Sequence, residues 1–302
     1  MREKESKRTY PNRRRHAAAC LIVLATALAA LLGAHVSWSA TDDVYAPLKR
    51  QLAENGIARS QVASAFDQCG PPLYKVIAAT FRLREGKLNY DQFLEPGPLA
   101  KARRFQELHA STLRQAERQF GVDRSVIVAI LLIETQFGSY TGKTPTMGVF
   151  ATFALMDGKA HRDIVWALLA PKERKHWGRE AFDEKLLKRS QWAMGELDAL
   201  MRWSAAHGTN PNSLHGSVMG AVGWPQFLPS SMMKFAQDGN ADGLTDLYTA
   251  EDAIHSIANY LRGHGWAQAK TSSEQEAVIH TYNHSQPYVR TVLEVASRIR
   301  SS

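Results

Sequence analysis

A mainly α-helical fold is predicted for this chain, and three observations predict it. Apolar residues recur at helical spacing, no alternating apolar and polar run is long enough to organise a sheet, and residues 126–133 are apolar all round, the mark of a helix buried in a core. A length of 302 residues with 44% hydrophobic content is enough to bury such a core. Beside the helices, only a small β hairpin region is expected.

The first fifteen residues carry Arg2, Lys4, Lys7, Arg8, Arg13, Arg14 and Arg15 against Glu3 and Glu5, which accounts for five of the eight net positive charges. An apolar run, AAACLIVLATALAALLGA, follows and closes on small residues near Ala40. This is the pattern of a secretory signal over 1–40, with an uncleaved membrane anchor as the alternative because the run lies near the lower limit for spanning a bilayer. Lipid anchoring is disfavoured, since Cys20 stands at the beginning of the apolar run instead of following it. The remaining chain is close to neutral and has no basic patch interleaved with aromatics, so nucleic acid is not an expected partner. It keeps only Cys69, which excludes an intramolecular disulfide and a thiolate zinc site.

In chain order, Leu48, Leu52, Ile57, Val62 and Phe66 fit two short helices broken at Asn55-Gly56 and at Gly70-Pro71-Pro72. A third helix is expected within 73–89. The turn around Pro96–Pro98 leads into one long polar helix through Gln119, which Gly121 ends. Asp123 or Ser125 then caps SVIVAILLIETQF, and Gly138 is placed to stop it. The run KERKHWGRE reads as a solvated face or a helix junction. Further helices are expected at 187–207, at SSMMKFAQ with Ser230 or Ser231 as its cap, at 250–264, at 275–279 and after Pro287. Trp192, Trp203 and Trp266 read as core residues.

Glu134 is the first chemical signal, because it ends an aliphatic run. In the last turn of a buried helix, desolvation and the negative end of the helix dipole both disfavour its charged form. A carboxylic acid kept protonated near neutrality suits the general acid of glycosidic-bond cleavage. The competing reading is a carboxylate that reaches solvent or pairs with a Lys or Arg. Downstream, GSVMGAVGWPQFLPSS holds Gln226 between Pro225 and Pro229, a stiff loop able to present an amide to sugar hydroxyls. Tyr140, Tyr282 and Tyr288 are candidates for sugar stacking. His280 and His284 are four apart, but without the HExxH glutamate they make a poor zinc site.

The Glu134-Thr-Gln-Phe-Gly motif, the run from Gly220 to Ser230 and Thr281-Tyr282-Asn283 occur in the order found in lytic murein transglycosylases of the membrane-bound B type, which the chain resembles from about residue 45 to its end. The resemblance implies a lysozyme-like catalytic core over 119–302 behind an N-terminal helical subdomain at 41–118. It further implies that Glu134 is the sole catalytic acid and base, and that Ser217, Gln226, Phe227 and Tyr282 line the glycan cleft; Asn283, in the last motif, and Tyr140, as a stacking ring, join them as candidate substrate-binding residues. The implied reaction cuts the β-1,4 bond between N-acetylmuramic acid and N-acetylglucosamine, closing the muramyl C6 hydroxyl onto C1. An internal hydroxyl has a high effective molarity, which explains how one carboxyl group suffices where hydrolases use two. The chemistry needs no cofactor. A monomer in the periplasm is expected, with peptidoglycan strands and other cell-wall enzymes as partners; the alternative is a peptidoglycan-binding or scaffold protein without turnover.

A second constellation, DGNADGLTD, resembles the calcium loop of an EF-hand over 238–249. Asp238, Asn240, Asp242, the Leu244 carbonyl and Asp246 occupy the ligand positions, while Thr249 stands where a strong site has a bidentate Glu. Relatives carry an acidic residue that corresponds to Asp252. One structural Ca2+ is the expectation, and an Asx-turn loop without metal is the alternative.

Overall fold

The structure is a computed structural model that describes residues 43–82 and 89–300. The leader at 1–40 lies outside the described residues. Residues 43–302 form one compact unit, and fourteen α-helices are found among the described residues. The mainly α class is therefore borne out.

The buried helix of the sequence is α6 (Arg124–Thr135), numbered in chain order; Val126–Leu132 are buried on every side. Burial of this kind is worth about 25 cal/mol per Å² of apolar surface, so α6 is the hydrophobic axis of the unit. Asp123 caps it by accepting from the Ser125 N–H at 2.8 Å. Around it pack α4 (Pro96–Leu108), α5 (Ala110–Phe120), α12 (Ala250–Gly263) and α14 (Gln286–Arg300). The long polar helix expected through Gln119 is in fact two, because His109 leaves helical geometry at φ −104° and ψ 25°. The break turns α5 onto α12 while α4 stays on α6.

The two short helices before Gly70 are α1 (Ala46–Glu54) and α2 (Arg59–Asp67), and the third is α3 (Tyr74–Thr80), packed on α7 (Thr146–Ala154) and α8 (Lys159–Leu168). KERKHWGRE is a helix junction. It runs through α9 (Pro171–Trp177) and breaks at Gly178, whose φ is +67°, before α10 (Arg179–Ala206). That helix starts eight residues before the expected 187, since its first two turns, with Phe182 and Leu186, are buried against the core. The α11 helix (Pro229–Phe235) starts on a proline, and neither Ser230 nor Ser231 caps it. Instead the Ser230 N–H and hydroxyl both donate to Glu196 at 2.8 Å, which ties α11 to α10. α13 (Ser272–Tyr282) begins in a capping box of Thr271 and Glu274 and ends at Asn283.

The small β region pairs β1 (Thr144–Pro145) antiparallel with β2 (His215–Gly216), two segments far apart in sequence, so it is not a local hairpin. Bridges from Gly216 to Val222 and from Val222 to Phe227 fold the following loop back on itself. Trp203 and Trp266 are buried, and Trp192 packs edge-on against Phe150 and Phe153, as core residues should.

Candidate active site

Glu134 sits half-buried in the last turn of α6, where the sequence placed it. Its Oε1 accepts a hydrogen bond from the Tyr288 hydroxyl at 2.7 Å. Tyr288, on the first turns of α14, is 1% exposed, so it supports the carboxyl group and cannot serve as the stacking surface the sequence offered. Burial pushes its phenol well above the ordinary tyrosine value, and the charges of Glu134 and Tyr282 push it further. Tyr288 therefore stays protonated and acts as a donor.

Helix α6 ends in strained backbone. Gln136 and Phe137 take φ of 48° and 59°, and Gly138 follows at 76°, so the helix stops two residues before the glycine expected to stop it. Each left-handed non-glycine residue costs about 1–2 kcal/mol. The Phe137 N–H donates to the Leu131 carbonyl at 3.1 Å, and the Phe137 ring stacks on Phe105 at 4.3 Å and 13°. A Cβ on Gly138 would overlap the Trp224 indole, so only glycine fits there. The Thr135 hydroxyl donates to the Trp224 carbonyl at 3.1 Å and accepts from the Gly138 N–H at 3.1 Å. These contacts fasten the loop 216–227 to the residue next to Glu134.

Within that loop Gln226 is left-handed at φ 51°, and its amide donates to the carbonyls of Thr141 at 3.1 Å and Gly223 at 2.8 Å. The Ser217 hydroxyl oxygen accepts from the N–H groups of Met219 and Ala221. Its own proton is left for another acceptor. Tyr282, at the end of α13, donates to the Pro225 carbonyl at 2.5 Å. Burial first, then the charge of Glu134, raises its phenol well above the ordinary value. Phe227 is 2% exposed and packs beneath Tyr282 and Tyr260, so it backs the site without a surface of its own. Asn283 is a half-buried cap, and Tyr140 is 68% exposed beyond the strained turn. Sequence reasoning missed Thr135 and Trp224 as the clamp on the loop. The only signal was their place inside the two motifs.

The acidic loop lies between α11 and α12. Its turns are made by Asx contacts: Asp238 accepts from the N–H groups of Asp242 and Gly243, Asn240 from Asp242, and Asp242 from Leu244. Asp252 is 1% exposed and closes the loop, accepting from Gly239 at 2.8 Å and Asp246 at 2.6 Å. Burial, together with the charges of Asp238 and Asp242 beside it, raises its carboxyl above the ordinary range. Thr249, at the twelfth position, is spent as the cap of α12. The donors are all hard oxygens and their mutual repulsion is what a cation would relieve, so their chemistry fits calcium. Their geometry is open, however: among the described residues no three His, Cys, Asp or Glu side chains converge as a metal site. That holds also for His280 and His284, whose rings meet edge to face at 5.0 Å.

The transglycosylase SLT domain family matches residues 40–276. Membrane-bound lytic murein transglycosylase B from Escherichia coli (strain K12) is 28% identical over 177 residues, which is 59% of this chain and 41% of that protein, so the match spans less than half the length of that curated relative. Among solved structures, an Escherichia coli lytic transglycosylase in complex with calcium shares 20% identity at a TM-score of 0.66, over 87% of this chain and 94% of that one. SltB3 from Pseudomonas aeruginosa in complex with NAG-anhNAM-pentapeptide shares 20% identity at a TM-score of 0.66, over 85% of this chain and 79% of that one. The lysozyme-like fold expected from the motifs is thereby established. With the family matched across most of its length, the chain belongs to the transglycosylase SLT domain family.

Proposed function

We propose that the chain is a peptidoglycan lytic transglycosylase that cuts the β-1,4 bond between N-acetylmuramic acid and N-acetylglucosamine and leaves a 1,6-anhydro end. The observation that carries this reading is the Glu134 carboxyl, held by Tyr288 at the strained end of α6 and locked through Thr135 to the Gln226 loop. Glu134 gives its proton to the glycosidic oxygen as the bond to the muramyl C1 breaks. The substrate's acetamido oxygen stabilises C1. The C6 hydroxyl then closes onto C1, and its proton returns to Glu134, so the acid is regenerated and no water is consumed.

Around this step, the Ser217 hydroxyl and the Gln226 carbonyl oxygen are offered to sugar groups, Tyr282 and Asn283 form the far wall, Phe227 backs Tyr282, and Tyr140 supplies an outer ring. Residues 41–118 act as a helical subdomain on the 119–302 core. The basic and apolar leader delivers the chain to the periplasm. One Ca2+ held by Asp238, Asn240, Asp242, the Leu244 carbonyl and Asp246, with Asp252 behind them, would stiffen the loop and take no part in the chemistry. Incubation with murein sacculi tests the activity: soluble muropeptides with anhydro ends are expected, and no soluble products would overturn it.

A further inference from the structure

In the small β ladder, the residue opposite His215 is Pro145, which has no N–H to give. Both main-chain groups of His215 are met from elsewhere in the chain. The Tyr248 hydroxyl donates to the His215 carbonyl and accepts from the His215 N–H at 3.1 Å. One phenol thereby does for His215 what a neighbouring strand would do.

Tyr248 is mounted on a stiff turn. Its N–H donates to the Asp246 carboxylate at 2.9 Å, the Thr249 N–H closes the turn on the Asp246 carbonyl at 3.0 Å, and Thr249 then caps α12. From the same turn, the Leu247 carbonyl accepts from the Trp224 N–H at 2.8 Å. Residues 247 and 248 therefore hold the 216–227 loop twice, at its entry and at the residue that Thr135 also grips.

His215 stands two residues before Ser217, and the backbone between them has no room to absorb a shift. A Cβ on Gly216 would overlap the Ala221 carbonyl, and the Ser217 N–H donates to that same carbonyl at 2.9 Å. The direction of the Ser217 hydroxyl is thus set from His215. We propose that Tyr248 is a positioning residue for the reaction proposed above, fixing His215 so that the Ser217 hydroxyl meets the glycan. The role rests on that reaction and on Ser217 as a glycan contact.

Its effect belongs to substrate binding. In Tyr248→Phe the ring stays, and so do the ties of Trp224 to Leu247 and Thr135, so the Glu134 side of the site is unmoved. His215 is exposed, so water takes up its two freed groups and the fold loses little.

Steady-state kinetics on a defined glycan strand test this with wild type, Tyr248→Phe, Ser217→Ala and the double variant, together with the melting temperature of each. Tyr248→Phe should raise KM about five- to tenfold, keep kcat within about twofold and melt near wild type. Because Tyr248 acts through Ser217, the same change should add less than about twofold to KM in the Ser217→Ala background. An unchanged KM in Tyr248→Phe, or an equal rise in both backgrounds, would overturn the proposal. So would a lowered melting temperature with kcat and KM changed together, which marks a structural prop. A wild type that leaves the strand uncut would overturn the proposed function itself and this role with it, whereas a wild type that cuts the strand confines any failure to Tyr248.

Discussion

The Tyr288 hydroxyl donates to the Glu134 carboxylate at 2.7 Å across 154 positions of sequence, joining the end of α6 to the start of α14. Because Tyr288 is fully buried and its phenol stays protonated, its part is to hold the acid in place. Tyr288→Phe is expected to keep the ring packing and to lower stability by about 1 kcal/mol for the lost bond. It should reduce kcat by roughly tenfold or more while KM stays near wild type. Steady-state kinetics on a defined glycan strand check this; an unchanged kcat would remove Tyr288 from the positioning role.

Gly138→Ala tests the strained turn. The new methyl would overlap the Trp224 indole while the backbone holds φ at 76°. A loss of about 2–4 kcal/mol is expected, from the left-handed cost plus overpacking. Denaturant unfolding measures it, and a change below 0.5 kcal/mol, well under ~1–2 kcal/mol for the backbone alone, would show that the turn is not as described.

The acidic loop carries a signed pH prediction. The Asp252 carboxyl is raised above its ordinary value of 3.8 by burial and by Asp238 and Asp242. An acid raised in the folded state contributes stability that is fully present below the unfolded value and is lost as pH rises through the folded one. In chelator, the loop is therefore weakened as pH climbs above the ordinary carboxylate range. Calcium should reverse this by about 1–3 kcal/mol at a ten- to hundredfold excess over Kd, seen as a higher Tm that Asp242→Ala abolishes. Equal Tm values in calcium and chelator would leave the loop as Asx turns alone.

Helix positions were legible where burial and spacing agreed, as in α6, where the all-apolar run, the Asp123 cap and the last-turn Glu134 all stand as read. What was not legible depends on long-range contacts. The split between α4 and α5 comes from different packing partners on either side of His109, which no local signal in a polar helix announces. The start of α10 was lost because its buried Phe182 and Leu186 lie in a run of mixed charge with Glu180, Asp183, Glu184 and Lys185. In the site, Glu134, Gln226 and Tyr282 were named from the motifs, and in the structure Thr135 beside Glu134 and Tyr282 both bond the loop that carries Gln226. The roles of Tyr288 and Phe227 were misjudged, because alternation of exposure on α14 and in the loop is set by Glu134 and Tyr260, far away in sequence.

The central claim is that Glu134 cuts murein without water. Digestion of sacculi in heavy-oxygen water, followed by mass spectrometry of wild type and Glu134→Gln, tests it most directly. Wild type should release anhydro-ended muropeptides that carry no heavy oxygen, and Glu134→Gln should release at least about a hundredfold less while melting at the wild-type temperature. Labelled reducing ends, or equal release by the variant, would contradict the account.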